Sequence, residues 1–128
     1  AFEGNTGPYL LYAYVRTRSI LRKAAERGMG DGWKSAPFSA TDPAEKQLAL
    51  ALLRYPGAVA GVAEALEPHR LCQYLYDLAG AFSVFFDRCP VLAAEPGARD
   101  SRLRACALTA RVLADGLGVL GIPTIERM

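Results

Sequence analysis

Apolar residues recur at three- and four-residue steps in five stretches of the chain, and Gly, Pro and Asp punctuate the gaps. The first stretch predicts a helix from about Pro8 to Arg27, with Thr6 or Gly7 as its cap, Pro8 in its first turn and Gly28 just past its end. Residues 28–41 hold three Gly, one Pro and two Ser, a loop composition, with Trp33 and Phe38 placed to pin the loop to the body. Asp42 and Pro43 open a second helix as N-cap and first residue, and it stops before Pro56. Its apolar stripe is Leu48, Ala49 and Leu52, with Leu53 beside them. A short alanine-rich helix follows from about Pro56 to Glu67. Pro68 starts the fourth helix, which runs to about Arg88 with Leu71, Leu75, Leu78, Ala79, Phe82 and Phe86 facing the core. After a connector at 89–98, the fifth runs from about Arg99 to Leu117 with Leu103, Ala107, Ala110 and Leu113 on one face. Gly116, Gly118 and Gly121 loosen its end, and Pro123 stops any continuation. No alternating apolar–polar run with hairpin punctuation appears, so the expected fold is all-α, a bundle of about five helices.

Length and composition fit that picture. A chain of 128 residues suits one domain, and 52% hydrophobic with 22% charged residues excludes a disordered chain. No uninterrupted apolar run reaches about 18 residues, so no membrane partner is expected. No basic segment followed by an apolar core opens the chain, so secretion is not indicated. Three cysteines, an odd number, fit a reducing cytoplasm better than a disulfide scaffold. The net charge is only +2, but it is unevenly spread. Residues 1–36 hold six basic groups (Arg16, Arg18, Arg22, Lys23, Arg27, Lys34) and three acidic ones (Glu3, Glu26, Asp31), a balance of +3 against −1 for the remainder. Local charge decides where a phosphate backbone is attracted.

The first helix carries that charge in a pattern. At about 100° per residue, with Tyr9 at zero, Leu10, Ala13, Tyr14, Ile20, Leu21, Ala24 and Ala25 fall on one side of the wheel, the core face. Tyr12, Arg16, Ser19 and Lys23 fall with Tyr9 on the other side, between roughly 280° and 360°. Two phenols, a guanidinium, a hydroxyl and an ammonium thus form one stripe. Aromatic faces stack on unpaired bases, and arginine pairs bidentately with phosphates or base edges. A single-stranded RNA loop offers both. The spacing by itself is equally consistent with tyrosines packed under a neighbouring helix beside a solvated basic face.

The segment FEGNTGPYLLYAYVRTRSILRK at 2–23 resembles a signature of arginyl-tRNA synthetases, where it opens the C-terminal helical anticodon-binding domain, the DALR domain. The resemblance continues through LCQYLYDLAGAFSVFFDRCPVL at 71–92 and RLRACALTARVLADGLGVLGIPTIERM at 102–128, and is weakest around 28–55. It implies one anticodon-binding domain over 1–128, of the class I synthetase type. It further implies that Tyr9, Tyr12 and Arg16 meet anticodon bases and nearby backbone. Phe86 stands at a position that is often Tyr in the family, keeping the stacking face without the hydroxyl. Met128 matches the terminal methionine of the family's ERM ending, a soft apolar contact to a base. Asn5, Thr6 and Gly7 shape the start of the helix. The implied partners are arginine tRNA, through its anticodon stem-loop, and the catalytic domain of the same ligase; DNA is not expected. The family's aminoacylation chemistry, with its ATP and Mg, belongs to a Rossmann-type domain with HIGH-like and KMSK-like motifs. Neither motif occurs in this chain, nor does a GxGxxG or GxxxxGK[ST] loop, so no cofactor and no catalytic residue is expected here.

Other constellations are thin. His69 and Cys72 are one turn apart, but a tight zinc site needs more ligands, so no metal is expected. Arg99, Arg102 and Arg104 open the fifth helix, where cations oppose the dipole; a phosphate contact would rationalise them, and Asp100 offers a surface pair instead. Scattered carboxylates show no acid–base pairing pattern. Two functions follow. The first is a tRNA-binding module in which Arg16 and Lys23 attract phosphates while Tyr9, Tyr12 and Phe86 stack on bases. The second is a free-standing helical interaction module derived from it.

Overall fold

Prolines and caps set the helix boundaries in the computed structural model, which describes residues 5–128. Among these residues there are five α-helices and no strand: α1 (Thr6–Glu26), α2 (Pro43–Leu53), α3 (Tyr55–Ala65), α4 (Pro68–Arg88) and α5 (Pro96–Val119). Asn5 is the N-cap of α1, so Thr6, Gly7 and Pro8 all lie in its first turn. At its end Gly28 takes the left-handed conformation (φ 68°) and donates to Ala25 O at 3.0 Å, the C′ role expected for glycine. The following loop is more ordered than its composition suggests: Gly32–Ser35 form a 3₁₀ turn. Trp33 and Phe38 pack against the core from that loop, Phe38 edge-on to Phe85 at 6.5 Å.

α2 begins with a capping box. The Asp42 carboxylate accepts from Ala44 N at 2.8 Å, and Glu45 Oε1 accepts from Asp42 N at 2.8 Å. Only Arg54 separates α2 from α3, and Pro56 sits inside the first turn of α3, where its missing N–H costs nothing. α5 starts at Pro96, earlier than the arginine run suggests, because Pro96 suits the first helical position, with Glu95 at the N-cap position.

The core joins α1, α4 and α5, with α2 and α3 laid over α4. Leu10, Leu71, Leu75, Leu78, Phe82, Phe85, Leu103, Leu113 and Leu117 are fully buried or nearly so. On α4 the inward face includes Phe85 rather than Phe86, which is half-buried at the edge. Gly116 does not loosen the end of α5; it lies within the helix and lets it approach α4. A Cβ there would stand 2.7 Å from a methyl of the fully buried Leu75.

Within Pro43–Ala65, 23 residues long, an 18-residue window reaches a mean hydropathy of 1.3, long and apolar enough by composition to cross a membrane, and 11% of that window is buried. The same stretch is tied to the bundle: Ala44, Leu48 and Ala51 are buried, and the Tyr74 hydroxyl donates to Ala51 O at 2.6 Å. Leu50 and Leu53 project from it into solvent.

Candidate nucleic-acid interface

α1 turns Leu10, Ala13, Tyr14, Thr17, Ile20, Leu21 and Ala24 into the core. That choice fixes the opposite flank. Tyr9 and Tyr12 are 37% and 55% exposed, enough to leave aromatic surface for a ligand. As α1 advances from Tyr9 to Arg16, α4 advances from Tyr76 to Phe86, so the two helices run side by side in the same direction. The groove between them holds the polar stripe.

Arg16 is its centre. The guanidinium carbon lies 5.2 Å from the centroid of the Tyr12 ring and 5.1 Å from that of Phe86. Nη2 also donates to the Tyr12 hydroxyl at 3.3 Å. Phe86 is in turn backed by buried Phe82, ring to ring at 5.8 Å. Cation–π contacts of this kind are worth about 0.5–1 kcal/mol at exposed sites. Their larger effect is to hold a long side chain in one place, so that little rotamer freedom is lost on binding. Among the described residues no carboxylate is paired with Arg16 or Lys23. A cavity of about 290 Å³ opens here, lined by Tyr12, Arg16, Ser19, Lys23 and Phe86 with Val15 and Ile20.

The structure therefore brings Tyr12, Arg16, Lys23 and Phe86 around one opening. Tyr9 lies nearer the start of α1, stacked at 5.0 Å on Tyr76 of α4. Sequence reasoning missed Tyr76. The signal was present: Tyr76 falls about 100° around the wheel from Leu75, away from the core stripe, and an exposed aromatic there is as informative as Tyr9 on α1. Met128 does not line the cavity and is exposed. The tail before it is held on the other shoulder of α1, where Arg18 Nε meets Glu126 Oε2 at 3.1 Å.

Arg102 has a structural partner: its Nε donates to buried Glu45 at 3.1 Å and its Nη1 to Pro90 O at 2.8 Å. Arg99 pairs with Asp100 at 3.6 Å. Cys72, Cys89 and Cys106 are free and buried, and burial pushes all three thiols up, Cys106 to about 12. They are protonated packing groups rather than nucleophiles. His69 is exposed while Cys72 is buried, and no cluster of three or more His, Cys, Asp or Glu that could hold a metal ion occurs among the described residues.

The groove thus sets a guanidinium between two rings, with a lysine on the same cavity and a second aromatic pair nearer the start of α1. Residues 10–128 match the family described as the DALR anticodon binding domain. The chain belongs to that family. The DALR domain is similar along its whole length to part of arginine–tRNA ligases: 53% identical to that of Frankia casuarinae, covering 21% of that protein, and 47% to that of Proteus mirabilis, covering 22%. In three dimensions it matches the Thermus thermophilus arginyl-tRNA synthetase with a TM-score of 0.85 at 43% identity, over 100% of this chain and 22% of that one. The Plasmodium falciparum enzyme matches with a TM-score of 0.81 at 29% identity, over 98% of this chain and 22% of that one. The domain thus spans about a fifth of the length of these relatives.

Proposed function

We propose that this domain docks the anticodon stem-loop of arginine tRNA in the α1–α4 groove, for an arginine–tRNA ligase whose aminoacylation chemistry lies outside these 128 residues. The partners are then the tRNA and the catalytic domain of the same polypeptide, and the setting is the cytoplasm. The observation that carries the reading is Arg16 fixed between Tyr12 and Phe86 with Lys23 on the same cavity. Splayed loop bases stack on Tyr12 and on the Tyr9–Tyr76 pair. Arg16 presents its planar donors to a phosphate or base edge, and Lys23 adds a point charge. Phe86 serves as the wall that backs Arg16. Met128 would contribute only as the tail reaches toward the loop.

Titration of a labelled arginine anticodon stem-loop tests this. Tyr12→Ala or Arg16→Ala weakens binding by roughly 1–3 kcal/mol per lost contact. Parent-like binding by both variants would remove these residues from the interface.

A further inference from the structure

A second basic cleft lies on the opposite shoulder of α1. From Arg16 to Arg18 the helix turns about 200°, so Arg18 and Arg22 face away from the groove described above. They border a cleft of about 700 Å³ closed by the 3₁₀ turn, with Trp33 and Lys34, and by the tail residues Glu126 and Arg127. This is more than twice the volume of the α1–α4 cavity. Its two carboxylates are already matched: Glu126 pairs with Arg18 at 3.1 Å, and Asp31 with Lys34 at 3.2 Å. Arg22 and Arg127 are left over, with no carboxylate in ion-pair distance among the described residues. The cleft therefore keeps two guanidiniums uncompensated, drawn from elements distant in sequence and brought to one opening.

We propose that this cleft is a second RNA site, in which Arg22 and Arg127 clamp the phosphodiester backbone of the same RNA that fills the α1–α4 groove. The proposal rests on the RNA-docking reading and adds where the strand goes beyond the loop bases. The two openings are separated by one helix diameter, about 10–12 Å, so a strand crossing α1 reaches both. The chemistry differs between them. The groove offers rings and reads bases; the cleft offers uncompensated charge and holds backbone. The Arg18–Glu126 pair holds the tail at the cleft, where Arg22 and Arg127 both line the opening.

The test is the salt dependence of binding to a fluorescein-labelled arginine anticodon stem-loop, for the parent chain, the double variant Arg22→Ala/Arg127→Ala, the double variant Arg22→Lys/Arg127→Lys, and Tyr12→Ala. Circular dichroism and thermal midpoints check that each folds. The alanine pair should lose affinity on the order of tenfold at low salt and flatten the log–log salt slope by about 0.7 per arginine removed. The lysine pair should restore the slope. Tyr12→Ala should lose affinity at an unchanged slope. If the alanine pair keeps the parent's affinity and slope while Tyr12→Ala weakens binding, the cleft proposal is overturned and the groove reading stands. If neither variant changes binding, or the parent does not bind, both are overturned.

Discussion

Arg16 differs from the other α1 cations by what surrounds it. Arg18 spends its charge on Glu126, and Lys23 is an exposed ammonium, whereas Arg16 is stacked between Tyr12 and Phe86. A lysine there would keep the charge but lose the planar fork and the stacking. Arg16→Lys should therefore retain the salt slope of stem-loop binding while losing nearly as much affinity as Arg16→Ala. Isothermal titration across a salt series reads both quantities, and parent-like affinity for Arg16→Lys would show that charge alone matters. The helical wheel made Tyr9, Tyr12, Arg16 and Lys23 legible, because a side chain's angle on α1 follows from its number alone. The Phe86 wall was available only as a resemblance, and the Tyr76 shelf not at all. Which aromatic of α4 meets which residue of α1 depends on how two helices 60 or more positions apart are set against each other.

Two contacts between elements decide how firmly the helices hold that register. Glu45 caps α2 and also accepts from Arg102 of α5. Burial, the largest influence on it, opposes ionisation; the hydrogen bonds from Asp42 N–H, Arg102 and Thr41 N–H outweigh burial and hold the carboxyl below its ordinary value of 4.5. The folded state thus takes up this proton less readily than the unfolded one. Its contribution is complete above about pH 4.5 and is lost as pH falls through the lower folded value. Thermal melts of the parent and Glu45→Gln should show a stability gap that narrows as pH drops from 6 toward 3; a gap independent of pH would contradict the role given to the ionised carboxylate. Asp42 as a cap was readable from the Asp42–Pro43 pair, but the reciprocal bond to Glu45 and the bond spanning 57 residues to Arg102 were not. That pairing takes Arg102 out of the set of free cations that the sequence suggested for phosphate. The second contact is Gly116 against Leu75. Gly116→Ala forces a methyl into Leu75 and should cost about 1–3 kcal/mol by chemical denaturation, an overpacking penalty. An unchanged midpoint would mean that α4 and α5 can separate freely. In the sequence Gly116 read as a fraying signal beside Gly118, because composition does not reveal close approach.

At the scale of the molecule, the all-α class and the order of the five helices follow from periodicity and punctuation, while starts moved where prolines sit inside first turns and the ends of α3 and α5 moved by two residues. What the pattern could not supply is the division of surfaces. α1 shows one shoulder with aromatic rings and another where Arg22 and the tail's Arg127 line a cleft without a paired carboxylate among the described residues, while Leu50, Leu53 and Leu66 on the α2 and α3 side are exposed and apolar. These are chemically different faces, and a binding partner for one leaves a distinct footprint. Titration of an isotope-labelled chain with the arginine anticodon stem-loop, followed by amide and aromatic NMR shifts, tests the central claim most directly. Saturable shifts are expected at Tyr9, Tyr12, Arg16, Lys23, Tyr76 and Phe86, and in Tyr12→Ala the shifts at the other residues should need about tenfold or more RNA to saturate. Shifts confined to α2 and α3, or no shifts at saturating RNA, would contradict it.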